Sequence, residues 1–203
     1  MHWQEFSTLF LFCTAMSFSP GPNTTLSTAM AANHGLRSTL PFCLAVPVGW
    51  ALLMLVCSLG LGAIIQQAPA LRWAVKATGI AYMLWLALKL TGLLGQRTAS
   101  YKLDAQVVKV HFVQGVALQL VNIKAWMLAL TLVAGWVATG PNRAARLFIV
   151  GLTMMSFAFT SNLSYALLGA LLRQWLAHGM RLLWFNRAMA SVLLATALWM
   201  LKQ

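Results

Sequence analysis

Apolar stretches of about 20 residues, the length that crosses a bilayer core as a helix, follow one another along nearly the whole chain. They are Phe6–Ala32, Leu40–Ile65, Leu71–Leu94, Phe112–Ala138, Leu147–Leu172 and Leu182–Leu201. Polar punctuation divides them at Asn33-His34-Gly35, Gln66-Gln67-Ala68-Pro69, 95–111, Thr139-Gly140-Pro141-Asn142 and 173–181. Each stretch is apolar around its whole circumference, whereas a helix lying on a membrane surface would keep one polar face. Charged residues make up 8% of the chain, against about a quarter in soluble domains. The expected fold is all-α: a polytopic membrane protein of six transmembrane helices, forming a single membrane domain over residues 1–203. No soluble domain fits between the stretches.

The net charge of +12 comes from 14 lysines and arginines against Glu5 and Asp104. In a soluble chain this balance would suggest nucleic acid as partner. Here the basic residues stand singly or in small groups between apolar stretches, which suits topology and anionic headgroups, so nucleic acid is excluded. Odd-numbered loops carry Arg37, Lys89, Arg97, Lys102, Lys109, Arg173, Arg181 and Arg187. The other side carries Arg72, Lys76, Arg143, Arg146 and Lys202. The excess of cations places the odd loops in the cytoplasm and both termini outside, in the periplasm. Ala29-Met30-Ala31 has the form of a signal-peptidase site, but no basic residue precedes the apolar run, so no cleaved leader is expected. Cys13, Cys43 and Cys57 stand alone, without a metal-binding spacing, and read as small buried hydrophobes. No metal, cofactor or catalytic residue is expected, and the chain is not read as an enzyme.

Inside the first stretch the chain reads Ser19-Pro20-Gly21-Pro22-Asn23-Thr24. Two prolines around a glycine break a helix, and a bilayer core has no water to satisfy the freed backbone groups. Such a break belongs where it lines a cavity, and in transporters that cavity holds substrate. A helix restarted here presents unpaired N–H groups and a partial positive charge to a carboxylate. Either Ser19 caps it with Pro20 as first helical residue, or Gly21 precedes Pro22 in that role. Pro20 falls about 21 Å into its stretch, and Lys124 about 18 Å into the fourth, both within a core about 30 Å thick.

Lys124 is the one charged residue near mid-membrane, and no acid lies in any stretch to pair with it. Its partners are therefore helix-end carbonyls or the carboxylate of a bound substrate. Gln119 and Asn122 share one helical face. Lys124 lies about 200° round from Asn122 on a regular helix, so either the helix unwinds here or the lysine serves another surface. A third polar cluster, Thr160-Ser161-Asn162 with Ser164 and Tyr165, suits interhelical hydrogen bonding or ligand contact equally. The candidate substrate-binding residues are Pro20, Gly21, Pro22, Asn23, Thr24, Gln119, Asn122, Lys124 and Asn162. Gly49, Gly60, Gly62 and Gly151 read as close-packing positions, and Trp3, Trp73, Trp175 and Trp184 as interfacial anchors.

A repeat is legible between the halves, about 1–95 and 110–203. Leu71-Arg72-Trp73-Ala74-Val75-Lys76-Ala77 aligns with Leu182-Leu183-Trp184-Phe185-Asn186-Arg187-Ala188. At a nearby offset the Pro20 break falls opposite Gln119–Lys124. Three spans per half make any such repeat inverted, the 3+3 arrangement of many secondary transporters.

Pro20-Gly21-Pro22-Asn23-Thr24, His34-Gly35-Leu36-Arg37, the run from Ala77 to Ala87, Leu120-Val121-Asn122-Ile123-Lys124 and Asn186-Arg187 together resemble the LysE/RhtB amino-acid exporter family over the whole chain. The resemblance implies an inner-membrane domain that exports amino acids from the bacterial cytoplasm, generally credited to proton antiport. Asn122-Ile123-Lys124 stands where the family often has Asn-Pro-Lys, and Trp50 follows Gly49 where many members carry an acid. With Asn162, this looks most like the branch that exports cysteine and O-acetylserine. Without a buried carboxylate, a small neutral amino acid fits better than a cationic one, and proton coupling would need another carrier.

The expected function is an alternating-access efflux carrier for small neutral amino acids, in which the Pro20 break and the Asn122/Lys124 region line the site. Its expected partners are an amino-acid substrate and the lipid bilayer, with a homo-oligomer left open. The alternatives are a six-span thiol-redox protein, which needs two cysteines close enough to pair, and a non-transporting membrane subunit.

Overall fold

The computed structural model describes residues 1–60, 62, 67–91 and 109–202. Arg97, Lys102 and Asp104, and the ends of the second and third apolar stretches at 63–65 and 92–94, lie outside the described residues. Among those described, the regular structure is helical throughout. The helices are α1 (Trp3–Phe18), α2 (Pro22–His34), α3 (Leu36–Ser58), α4 (Pro69–Leu90), α5 (Phe112–Val121) and α6 (Ile123–Leu132), with a π turn at Val133–Val137, then α7 (Arg143–Leu176) and α8 (Arg181–Lys202).

Three of these helices, α3, α7 and α8, are each long and apolar enough to cross a membrane. A fourth crossing is available if α5 and the α6–π segment, bent by 70° at Asn122, count as one. Two of the six expected spans do not meet the same measure, for readable reasons. The Pro20 break divides the first stretch into helices of 16 and 13 residues. The 22-residue α4 carries Arg72, Lys76 and Lys89. At 1.5 Å per residue the 34-residue α7 runs about 51 Å, well beyond the hydrocarbon thickness.

A proline alone does not stop a helix in this chain. Pro47 sits in the middle of α3, which continues unbroken from Leu36 to Ser58, because one missing N–H frees one carbonyl and costs one bond. At residues 19–21 the loss is larger. Ser19 closes α1 with ψ 136°, and Gly21 is fully extended, so two successive turns lose their bonds and the helix must be nucleated again.

The chain divides into two compact units, each gathered from three separate segments. The first comprises Met1–Ser19, Leu44–Gly79 and Phe112–Ser161. In it, α1 packs by aromatic contacts, with Phe10 edge-on to Phe157 at 4.8 Å and Phe12 against Trp136 at 5.4 Å. Its amino end is tied by an ion pair. Arg146 reaches both carboxylate oxygens of Glu5 and donates to the Trp136 carbonyl, while the Trp136 indole donates to the Glu5 carbonyl. This is the one ion pair among the described residues.

The second unit comprises Pro20–Cys43, Ile80–His111 and Asn162–Gln203. Its centre is α2, of whose 13 residues ten are buried, among them Thr24, Thr25, Ser27 and Thr28. A helix this polar is buried only because its side chains are small and its hydrogen bonds are closed locally or across helices. Close approach is visible at Gly169 of α7. A Cβ there would collide with the Thr28 carbonyl oxygen and stand 3.0 Å from its carbon. Two of the four expected packing glycines behave as such: Gly49 lies against Gln119, and Gly62 against Leu130 and Cys57. The other two do not. Gly60 follows α3 at φ 82°, a turn position, and Gly151 has open space where its side chain would be.

Candidate functional site

Gly21 is the N-cap of α2 and Pro22 its first residue, so the chain takes the second of the two capping arrangements open in the sequence. Proline is suited to that place because its missing N–H would have no helical partner anyway. Thr24 closes the turn from both sides: its hydroxyl accepts from the Gly21 N–H at 3.0 Å and donates to the Gly21 carbonyl at 3.1 Å. The Thr25 N–H makes the first regular helical bond, also to the Gly21 carbonyl, at 2.9 Å. Thr24 and Pro22 are buried, Asn23 half-buried and Pro20 exposed.

The fourth apolar stretch is broken as well. Asn122 adopts an extended conformation (ψ 101°) between α5 and α6, and its side-chain oxygen accepts from the Lys124 N–H at 3.1 Å, capping α6. The Trp126 indole reaches back 2.8 Å to the Leu120 carbonyl, satisfying one of the last acceptors of α5. Asn122 is thus a helix cap, and of the two readings left open in the sequence the unwound helix is the one present. Gln119 is fully buried and donates to the Gly115 carbonyl of its own helix, while its aliphatic part is covered by Gly49.

The break carries Lys124 to Ser19, the last residue before Pro20. The ammonium lies 2.7 Å from the Ser19 hydroxyl and 3.5 Å from the Ser19 carbonyl oxygen. Ser19 in turn donates its hydroxyl to Met16 and its N–H to Ala15. Lys124 therefore serves as the cation at the carboxyl end of α1, where the helix dipole favours it. It would be disfavoured at the amino end of α6 from which it springs. An ammonium has three N–H donors, and among the described residues Ser19 supplies both acceptors. The helix-end carbonyl anticipated as a partner is found, joined by a hydroxyl.

Asn162 meets α2 one turn beyond Thr24: its side-chain oxygen accepts from the buried Ser27 hydroxyl at 2.9 Å. Asn33, from the first polar punctuation, and Asn186, from the last apolar stretch, form the next polar link on α2, though neither is among the candidate site residues. Asn33 and Asn186 exchange amide hydrogen bonds of 2.8 and 3.1 Å. The signal available was an asparagine at each edge of an apolar run, but the pairing spans 153 residues of sequence. Among the described residues no buried side-chain nitrogen or oxygen lacks a partner. Ligand binding at these groups therefore adds to or exchanges bonds already made.

Compared with known proteins, the chain matches the family described as LysE type translocator over residues 14–203. A cysteine/O-acetylserine efflux protein of Klebsiella pneumoniae is 26% identical over 184 residues, which is 90% of this chain and 91% of that protein. The protein of the same name from Escherichia coli K12 is 28% identical over 176 residues, covering 83% of this chain and 84% of its own length. No solved structure matches.

Proposed function

The chain belongs to the LysE type translocator family, and on that premise we propose that it is an amino-acid efflux carrier of the bacterial inner membrane. The proposed substrates are small neutral amino acids or derivatives, of the kind named for its cysteine/O-acetylserine relatives. The observation that carries the reading is the Lys124–Ser19 contact at the end of a broken helix. A cation held by neutral acceptors, with no carboxylate beside it among the described residues, can exchange one of them for the carboxylate of an amino acid. The Ser19 bonds are already charged on the ammonium's side; with a carboxylate both partners are ionised, the short N⁺–H···O⁻ kind. Lys124 holds Ser19 between cycles and the substrate during them.

The residues assigned to substrate contact are Pro20, Gly21, Pro22, Asn23 and Thr24 at the first break, Gln119, Asn122 and Lys124 at the second, and Asn162 beside α2. Six spans over the single domain 1–203, in two inverted halves of about 1–95 and 110–203, complete the proposal, with alternating access as the mechanism and both termini periplasmic. Two parallels support the halves. The first stretch of each is broken, at Gly21 and at Asn122. At the aligned positions, Lys76 lies over Trp73 at 4.6 Å and Arg187 over Trp184 at 5.2 Å.

The test is counterflow in proteoliposomes holding the purified protein, with a panel of labelled amino acids, run with and without a pH gradient. Uptake of a small neutral amino acid against its unlabelled form supports the carrier. Activity with no amino acid would return the chain to the reading of a non-transporting subunit.

A further inference from the structure

The turn between α7 and α8 builds a second site, one that the transport reading does not use. A groove of about 440 Å³ lies there, its walls formed by Trp175, Leu176, Trp184, Phe185 and Ala188. Arg181 stands at its edge with its side chain fixed in place. Its guanidinium carbon lies 4.7 Å from the centre of the Trp175 ring, and one N–H donates to the Trp175 carbonyl at 3.3 Å. Arg187 stacks in the same way on Trp184, at 5.2 Å. Trp175, Arg181, Trp184 and Arg187 are all exposed.

Three features of this arrangement select an occupant. Exposed tryptophans at helix ends mark the level of the headgroups, so the groove opens where acyl chains meet phosphates. A guanidinium has five N–H donors, of which Arg181 spends one on Trp175, leaving a fork suited to two phosphate oxygens. Among the described residues this unit also supplies no carboxylate as counter-charge. Glu5 is the one carboxylate among the described residues, and Arg146 holds it. Basic pockets between membrane helices take anionic lipid headgroups for these reasons.

We propose that the α7–α8 groove is a binding site for an anionic phospholipid, with an acyl chain along Trp184, Phe185 and Ala188, the phosphate held by Arg181 at the groove's edge, and Arg187 on the neighbouring Trp184 adding positive charge. The site is independent of the efflux reading and needs only a membrane around the chain.

The test is native mass spectrometry of the detergent-purified protein, titrated with dioleoyl phosphatidylglycerol or with phosphatidylcholine of the same chains. The wild type should retain the anionic lipid about 30-fold more than the zwitterionic one, since each of the two arginines near a charged headgroup contributes about 1 kcal/mol. Arg181→Gln with Arg187→Gln should remove that preference, Arg143→Gln should keep it, and glycerol phosphate should not compete. Ala188→Trp, which fills the groove and leaves both arginines, should also reduce retention. Equal retention of the two lipids by the wild type, a measurement that needs no variant, overturns the proposal. So does an equal loss in Arg143→Gln, full competition by glycerol phosphate, or a protein dimer abolished by Ala188→Trp without lipid selectivity.

Discussion

Replacing Lys124 by methionine keeps most of the side chain's length and removes its charge, and the structure fixes what should follow. The lost contacts are those from the ammonium to the Ser19 hydroxyl and carbonyl. Bonds to a charged group contribute about 1.5–3 kcal/mol. Against this stands the cost of holding a lysine near the bilayer centre, about 2.5–3.5 kcal/mol on insertion scales. The two are of similar size, so Lys124→Met should insert normally and unfold within about 2 kcal/mol of the wild type. Transport should behave differently. Losing a charge-assisted bond to the substrate carboxylate should lower the rate at sub-saturating substrate by about 10- to 150-fold. The assay is initial counterflow rate per folded protein, paired with thermal unfolding in detergent. A wild-type rate refutes the substrate role. A variant that loses fold and transport together shows instead that Lys124 pins α1 and does no more.

Three further perturbations probe the scaffold. Pro20→Ala with Pro22→Ala should let α1 and α2 join into one helix and cripple counterflow; full activity would reduce the break to a simple kink. Gly169→Ala drives a Cβ onto the Thr28 carbonyl, which as backbone cannot rotate aside. It should destabilise the protein by about 1–3 kcal/mol in thermal unfolding, and an unchanged midpoint would contradict the packing described. Glu5 lies at the outer edge of the first apolar stretch. The His2 N–H first, and then Arg146, hold its carboxyl below the usual range. A lowered carboxyl stabilises the fold above its ordinary pKa, and that contribution disappears as the pH falls through the lowered value. The stability difference between wild type and Glu5→Gln should therefore vanish in acid, and a difference that persists there would count against the Glu5–Arg146 tie.

The sequence made local chemistry legible and long-range chemistry hard to see. The Pro20 break could be read directly because proline's fixed φ and missing N–H act within one turn. Which residue restarts the helix was left open, since Ser19 and Gly21 are both sound caps and the choice falls to Thr24 closing on Gly21. The break at Asn122 was half visible. A cap residue sits there, but its apolar neighbours Leu120, Val121 and Ile123 favour an unbroken span, and the misplaced direction of Lys124 argued otherwise. The pairs Glu5–Arg146, Ser27–Asn162 and Asn33–Asn186 are 135 to 153 residues apart and leave no periodicity to detect. Gly169 shows the same limit. Its backbone contact with Thr28 depends on how α2 and α7 meet, whereas Gly60 and Gly151 carry the same residue type with no such contact.

The central claim is that this carrier recognises an amino acid through its carboxylate, using Lys124 beside the broken first helix. Its most direct measurement is counterflow of the preferred neutral amino acid, competed by that amino acid and by its carboxamide, in wild type and in Lys124→Met. The account predicts that the wild type is inhibited at least about tenfold better by the carboxylate form, and that the preference disappears in the variant. Equal inhibition by the two forms in the wild type, or an undiminished preference in Lys124→Met, would contradict it.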